Sequence, residues 1–119
     1  MWFTTHELKQ INEDKKSLTI RRFKKNGSMP VKVGNTTYLK TGSMMSKERY
    51  GEINMIKAEV KPLLSMTQKD AQKGGYRNPA SYIIDHLNKY NKNCNPYECM
   101  IFYTFETLWT DDEKIKTLR

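Results

Sequence analysis

The stretch KKSLTIRRFKK, residues 15–25, holds the side chains best suited to chemistry. Six of its eleven residues are Lys or Arg, yet Leu18 and Ile20 alternate as a core-facing strand face does. Thr19, Arg21 and Phe23 share the other face, which in a small barrel lines a cleft. Lys16 and Arg21 suit an anion or a carbonyl oxygen. The guanidinium grips two oxygens at once, and the ammonium acts as a point charge. Two readings compete: a solvated face, and a surface aimed at something anionic.

Charge segregation favours the second. The 119-residue chain carries a formal +8. Residues 1–49 hold eleven Lys/Arg against four Asp/Glu, a net +7, and residues 50–119 hold ten against nine, a net +1. Such asymmetry points to an anionic partner more than to general solubility. Arg22, Lys24, Lys25, Lys40 and Arg49 extend the basic half, with Lys32 and Lys47 beside them. Tyr38, Tyr50 and Tyr76 are interspersed and are candidates to stack on bases. The bland alternative is that these lysines keep edge strands of different molecules apart.

Other chemistries find little support. Cys94 and Cys99 are the only cysteines, and His6 and His86 have no partner at ligand spacing, so neither a metal site nor a cofactor is expected. Reduced thiols, no signal-peptide pattern and no membrane-length apolar run lead to the expectation of a soluble cytoplasmic protein without a membrane partner. The length suits one domain, and no Pro/Gly/Ser-rich linker divides it.

The elements that must position these residues follow from local pattern. THELKQINED (5–14) reads as a short helix capped by Thr5, with Leu8 and Ile11 on one face. SLTIRRF (17–23) reads as a strand, KNGSMP (25–30) as a loop, and VKVGNTTYLKTG (31–42) as strand, turn, strand. GEINMIKAEVKPL (51–63) is a longer strand partly covered on both sides. Thr67 with Asp70 starts a short helix that Gly74-Gly75 ends. Asn78 and Pro79 start another, whose Tyr82, Ile83, Leu87 and Tyr90 form a core stripe, with His86 near the surface. ECMIFYTFETLW (98–109) is apolar on both faces and should be central, and a charged tail follows with room for a helical turn. GSMMSKERYG (42–51), with adjacent Met44 and Met45, is long for a hairpin loop and a candidate either to flank a ligand cleft or to serve as a contact surface. The class is α+β, with a small, mostly antiparallel sheet or barrel.

INEDKKSLTIR resembles the opening of the ASCH domains, relatives of the PUA domain, whose hallmark is Gly-x-Lys-x-x-[Glu/Thr]-x-Arg after a short helix. Lys16, Thr19 and Arg21 match it, and Asp14 stands in the glycine position. VKVGNTTYL, LSMTQKDAQKGGYRNPASYIIDHLNKY and CMIFYTFE resemble later family segments, so the likeness runs from about residue 6 to 106. It implies a PUA-like β-barrel with helices at its rim and an RNA-related function. Some small members are amidohydrolases that remove the acyl group from N4-acetylcytidine, using the motif's Lys and Thr and a later Glu. Lys16 and Thr19 are then catalytic candidates, while the Glu position falls on Gly74. A threonine hydroxyl needs a base or a nearby cation to become a nucleophile. Glu59 and Asp70 are the candidates for a substitute carboxylate. Lys16 and Thr19, three apart, share a pocket only if Lys16 lies in the turn before the strand.

Three functions follow as expectations. The first is an RNA- or nucleoside-binding domain whose ligand contacts come from Lys16, Arg21, Arg22, Lys24, Lys25, Lys40, Arg49 and Tyr76. The second is an N4-acetylcytidine-type amidohydrolase. The third is a small regulator or inhibitor that docks on an acidic protein.

Overall fold

The computed structural model describes residues 1–43, 45–89 and 95–119, together with the backbone of Tyr90. Met44, Cys94 and the Tyr90 side chain, each weighed above, lie outside the described residues.

The chain begins with helix α1 (Thr5–Glu13). Its cap is Thr4, not Thr5. The Thr4 hydroxyl accepts from the Glu7 backbone N–H, and the Glu7 carboxylate accepts from the Thr4 backbone N–H. This reciprocal box satisfies two of the amides a helix start leaves open. Strand β1 (Leu18–Arg21) is shorter than its apolar alternation suggested, because the chain turns away after Arg21. Strand β2 (Thr36–Leu39) and the long β3 (Gly51–Pro62) follow. A 3-10 turn (Leu63–Ser65) leads to helix α2 (Gln68–Lys73), where Thr67 and Asp70 form the expected capping box. Helix α3 (Pro79–Tyr90) starts with the Asn78 side-chain oxygen Oδ1 accepting from the Ser81 N–H. Strand β4 (Cys99–Thr110) and the short helix α4 (Asp112–Lys116) close the order.

The strand expected over residues 31–33 does not form. The Tyr103 hydroxyl donates to the Val31 carbonyl and accepts from the Val31 N–H, and the Gly34 N–H goes to the Met55 carbonyl. These bonds use backbone groups that a ladder would need. Gly34, at φ +93°, takes a left-handed conformation that suits glycine.

The four strands form one antiparallel sheet in the order β1-β4-β3-β2. A parallel bridge between Trp2 and Lys40 extends the β2 end. Consecutive residues of β4 feed opposite faces. Ile101, Tyr103 and Phe105 pack with Leu8 and Ile11 of α1 and Ile115 of α4, whereas Met100 and Phe102 pack with Ala71 of α2, Tyr82 of α3 and Leu63. The sheet therefore separates two cores, and a strand apolar on both sides has to be central. Each fully buried aromatic of β4 contributes about 1.5–3 kcal/mol through burial. Among the described residues, no helix is long and apolar enough to cross a membrane.

Candidate functional site

The turn from α1 into β1 sets the first functional side chain. Asp14 occupies the position of the motif's glycine at φ −105°, and the left-handed residue is Lys15, at φ +55°. A non-glycine residue in that region costs about 1 kcal/mol. The turn bonds the Lys16 N–H to the Gln10 carbonyl and the Ser17 N–H to the Lys73 carbonyl, fastening α1, β1 and α2 together. Lys16 is then sent inward. Only 2 % of it is exposed, and its ammonium donates to the Gly74 carbonyl at 2.6 Å and the Tyr82 hydroxyl at 3.3 Å. It also lies 4.8 Å from the Tyr82 ring centre and 5.6 Å from that of Tyr76. Among the described residues its hydrogen bonds all go to neutral groups. Burial lowers its pKa from 10.5 to about 8, and Glu7 opposes that shift.

Lys16 lines a cleft of about 450 Å³ at the β1 edge of the sheet. Thr4, His6 and Glu7 of the α1 end form one wall, and Tyr82, Asp85, His86 and Lys89 of α3 form the other. Ile20 and Tyr76 complete the lining together with Asn88. The Glu7 carboxylate is buried and ion-paired with Lys89 across the cleft. Burial alone would raise its pKa, but the Lys89, Arg21 and Lys16 charges outweigh that and hold it below the usual carboxylate value. His86 is 5 % exposed; burial, reinforced by Lys89, lowers its pKa to about 4, so it is a neutral ring at pH 7. Tyr76 stacks on Tyr82 with centroids 4.2 Å apart and donates its hydroxyl to Asp85. Burial and that carboxylate raise the Tyr76 pKa, keeping it a phenol.

Of the residues the sequence singled out for ligand contacts, Lys16 and Tyr76 line this cleft. Arg21 lies over the Phe3 ring at 4.5 Å, donates to the Thr19 hydroxyl at 3.2 Å, and lines a second recess with Trp2 and Arg22. Arg22 stands 3.7 Å from Glu98. Lys24 and Lys25 are exposed in the turn after β1. Lys40 bridges to the N-terminal segment, and Arg49 stacks on Tyr38 at 4.0 Å. Thr19 is 1 % exposed and pairs in register with Tyr103, whereas its neighbours Leu18 and Ile20 join the core that holds Tyr82. Lys16 does lie in the turn, yet its ammonium and the Thr19 hydroxyl serve opposite sides of β1.

Gly74 has a structural reason to be glycine. A Cβ there would fall 2.1 Å from Cε2 of Tyr82, so the Tyr82 ring occupies the space of any side chain. Neither suggested substitute carboxylate reaches the cleft lining. Glu59 and Asp70 both bond Lys61, at 2.5 and 2.6 Å. The cleft carboxylates are Glu7 and Asp85. Sequence reasoning missed Glu7, although Thr4-x-x-Glu7 is a capping-box pattern; placing the cap at Thr5 shifted the frame by one. It also placed His86 at the surface, although His86 follows Tyr82 by four residues and so shares its buried stripe.

No family model and no curated protein sequence matches the chain. Among the solved structures similar to it are two that serve for comparison. One is an Enterococcus faecalis protein of the family DUF984, with 19 % identity and a TM-score of 0.68, covering 92 % of this chain and 71 % of that one. The other is an ASCH domain from Lactobacillus crispatus, with 11 % identity and a TM-score of 0.70, covering 86 % of this chain and 70 % of that one. At such identities the likeness concerns the fold. The resemblance implied a small barrel with helices at its rim; the structure has a four-stranded antiparallel sheet between two helix pairs, mixed α+β as expected, with β1 following a short helix. The chain has an α+β fold like that of the ASCH domain.

Proposed function

We propose that this chain is an RNA- or nucleoside-binding domain whose ligand enters the cleft between α1, β1 and α3. The observation that carries this reading is Lys16, a buried ammonium bonded among the described residues only to neutral acceptors, beside two tyrosine rings in an open cleft. A buried cation without a bonded anion is poorly compensated. A carbonyl or phosphate oxygen of a ligand supplies the missing partner, and the aromatic wall suits a planar base. Lys24 and Lys25, exposed just after β1, offer phosphate contacts along the strand that leaves the cleft. The fold, shared with an ASCH domain, and the basic first half agree with this reading.

The test is a salt-titrated binding assay with short single-stranded RNA, duplex RNA and N4-acetylcytidine. We expect binding that weakens with salt, is lost in Lys16→Met, and has a flatter salt dependence in Lys24→Ala/Lys25→Ala. Affinity unchanged by Lys16→Met refutes the cleft as the binding site.

Glu7 favours a second reading, hydrolysis of an N4-acylated cytidine. It brings a carboxylate into the cleft with Lys16, and together they form an acid/base pair. Product analysis in the same assay decides it: release of cytidine, abolished by Lys16→Ala, identifies an enzyme.

A further inference from the structure

We propose that Glu7 is the specificity-determining residue of the cleft, selecting a planar ligand edge that presents an N–H donor beside a hydrogen-bond acceptor. The proposal rests on the nucleoside-type reading above and goes further, to which edge is accepted.

It starts from how the carboxylate is held. The donors that reach Glu7 are the Thr4 N–H, the Thr4 hydroxyl and the Lys89 ammonium, and all three go to Oε1. Oε2 takes no hydrogen bond among the described residues, on a side chain that lines the cleft. A carboxylate accepts on both oxygens, so one oxygen is committed to fixing the group and the other is open. The group stays ionised, since three neighbouring cations hold its pKa below the usual value. It therefore accepts and never donates near neutral pH.

Lys16 is the complementary half. Its ammonium has three N–H bonds to give, and two are directed at Gly74 and Tyr82. No described residue takes the third, which is available to an acceptor. One cleft thus presents an acceptor-only oxygen and a donor-only nitrogen. The matching edge carries a donor and an acceptor side by side, as an amino-bearing base does. An edge that offers only acceptors faces Oε2 with lone pair against lone pair, and a site built for a hydrogen bond rejects such an analogue. Lys89 is a positioning residue here, because it holds Oε1 and leaves Oε2 turned to the ligand.

Glu7→Gln tests this cleanly. Glutamine also serves at this position of a capping box, so Oε1 keeps its bond from Thr4 and the helix start is preserved. The amide nitrogen then stands where Oε2 stood, and a donor replaces an acceptor. Equilibrium binding of cytidine against pyrimidin-2-one riboside, and of adenosine against purine riboside, reads the outcome, because the second member of each pair lacks only the amino group and offers acceptors alone on that edge. The wild-type chain should prefer the amino-bearing member by about tenfold or more, the worth of a hydrogen bond to a charged group. Glu7→Gln should remove or reverse that preference. Lys89→Met should weaken it, and Lys89→Arg should restore it. Equal binding of both members by the wild type, or a preference that survives Glu7→Gln, overturns the role of Glu7 while leaving the binding site in place. Binding of none of the four nucleosides overturns the nucleoside reading itself.

Discussion

Replacing Lys16 by methionine should change how stability depends on pH, and the size of the change can be worked out from the buried ammonium. A lysine that ordinarily titrates at 10.5 is held at about 8 by burial. At about 1.4 kcal/mol per tenfold change in acidity, that difference corresponds to about 3 kcal/mol. The sign follows from proton counting. Between pH 8 and 10.5 the unfolded chain keeps a proton that the folded chain has released, so unfolding becomes less favourable as pH rises. Below pH 8 both states hold the proton and the contribution is flat; above 10.5 both have lost it. Methionine has a similar length and no charge, so it removes this dependence. It also leaves the Gly74 carbonyl without its donor, a loss of about 1–3 kcal/mol that does not vary with pH. Urea unfolding of both proteins at several pH values isolates the effect, because other titrating groups cancel in the difference. The stability of the wild type relative to Lys16→Met should climb by about 3 kcal/mol from about pH 7 to about pH 10.5. A difference that stays level across this range refutes the argument that Lys16 is a poorly compensated buried cation.

Other outcomes follow from the same geometry. Gly74→Ala should destabilise by about 1–3 kcal/mol in thermal or urea unfolding, since the new Cβ meets the Tyr82 ring and overpacks a closed site. Glu7→Ala should cost about 1–2 kcal/mol through the lost cap and ion pair, and Glu7→Gln clearly less. Because its folded pKa lies below the usual carboxylate value, the stability Glu7 contributes is present above its ordinary pKa and lost as pH falls through the folded one; acid unfolding of Glu7→Gln should lack that component. Lys24→Ala/Lys25→Ala should leave stability within about 0.5 kcal/mol, both residues being exposed, so any loss of RNA affinity reports on binding.

The parts of the fold legible in the sequence were those set by local rules. The Thr67/Asp70 capping box, the Asn78-Pro79 helix start and the two-sided apolar strand at residues 99–110 each carry their own signal, and each forms as expected. What failed depended on partners distant in the chain. Val31 reads as a strand residue by type, but the Tyr103 hydroxyl, 72 residues away, takes its backbone groups. The cleft was legible only in half. Lys16 stood in a motif, whereas Glu7 and Lys89 are 82 residues apart and meet only because α1 and α3 flank the same strand edge. No periodicity announces such a pair. Nor could the spacing of Lys16 and Thr19 say which way a side chain leaves a turn whose left-handed residue is a lysine.

The central place of β4 has a consequence for when this chain can fold. Both cores contain β4 residues, and among the described residues β1 has no other partner in the sheet. Leu18 pairs with Thr104, so the first strand waits through more than eighty residues of synthesis for its neighbour. A nascent chain emerging from the ribosome can form α1 and the β2–β3 hairpin early, but neither core closes until β4 is free to insert. The closing step brings remote segments together against loop entropy, which makes it slow compared with helix formation. Until then the Lys16 ammonium, later buried, remains in water, and the cleft is the last feature of the molecule to be made.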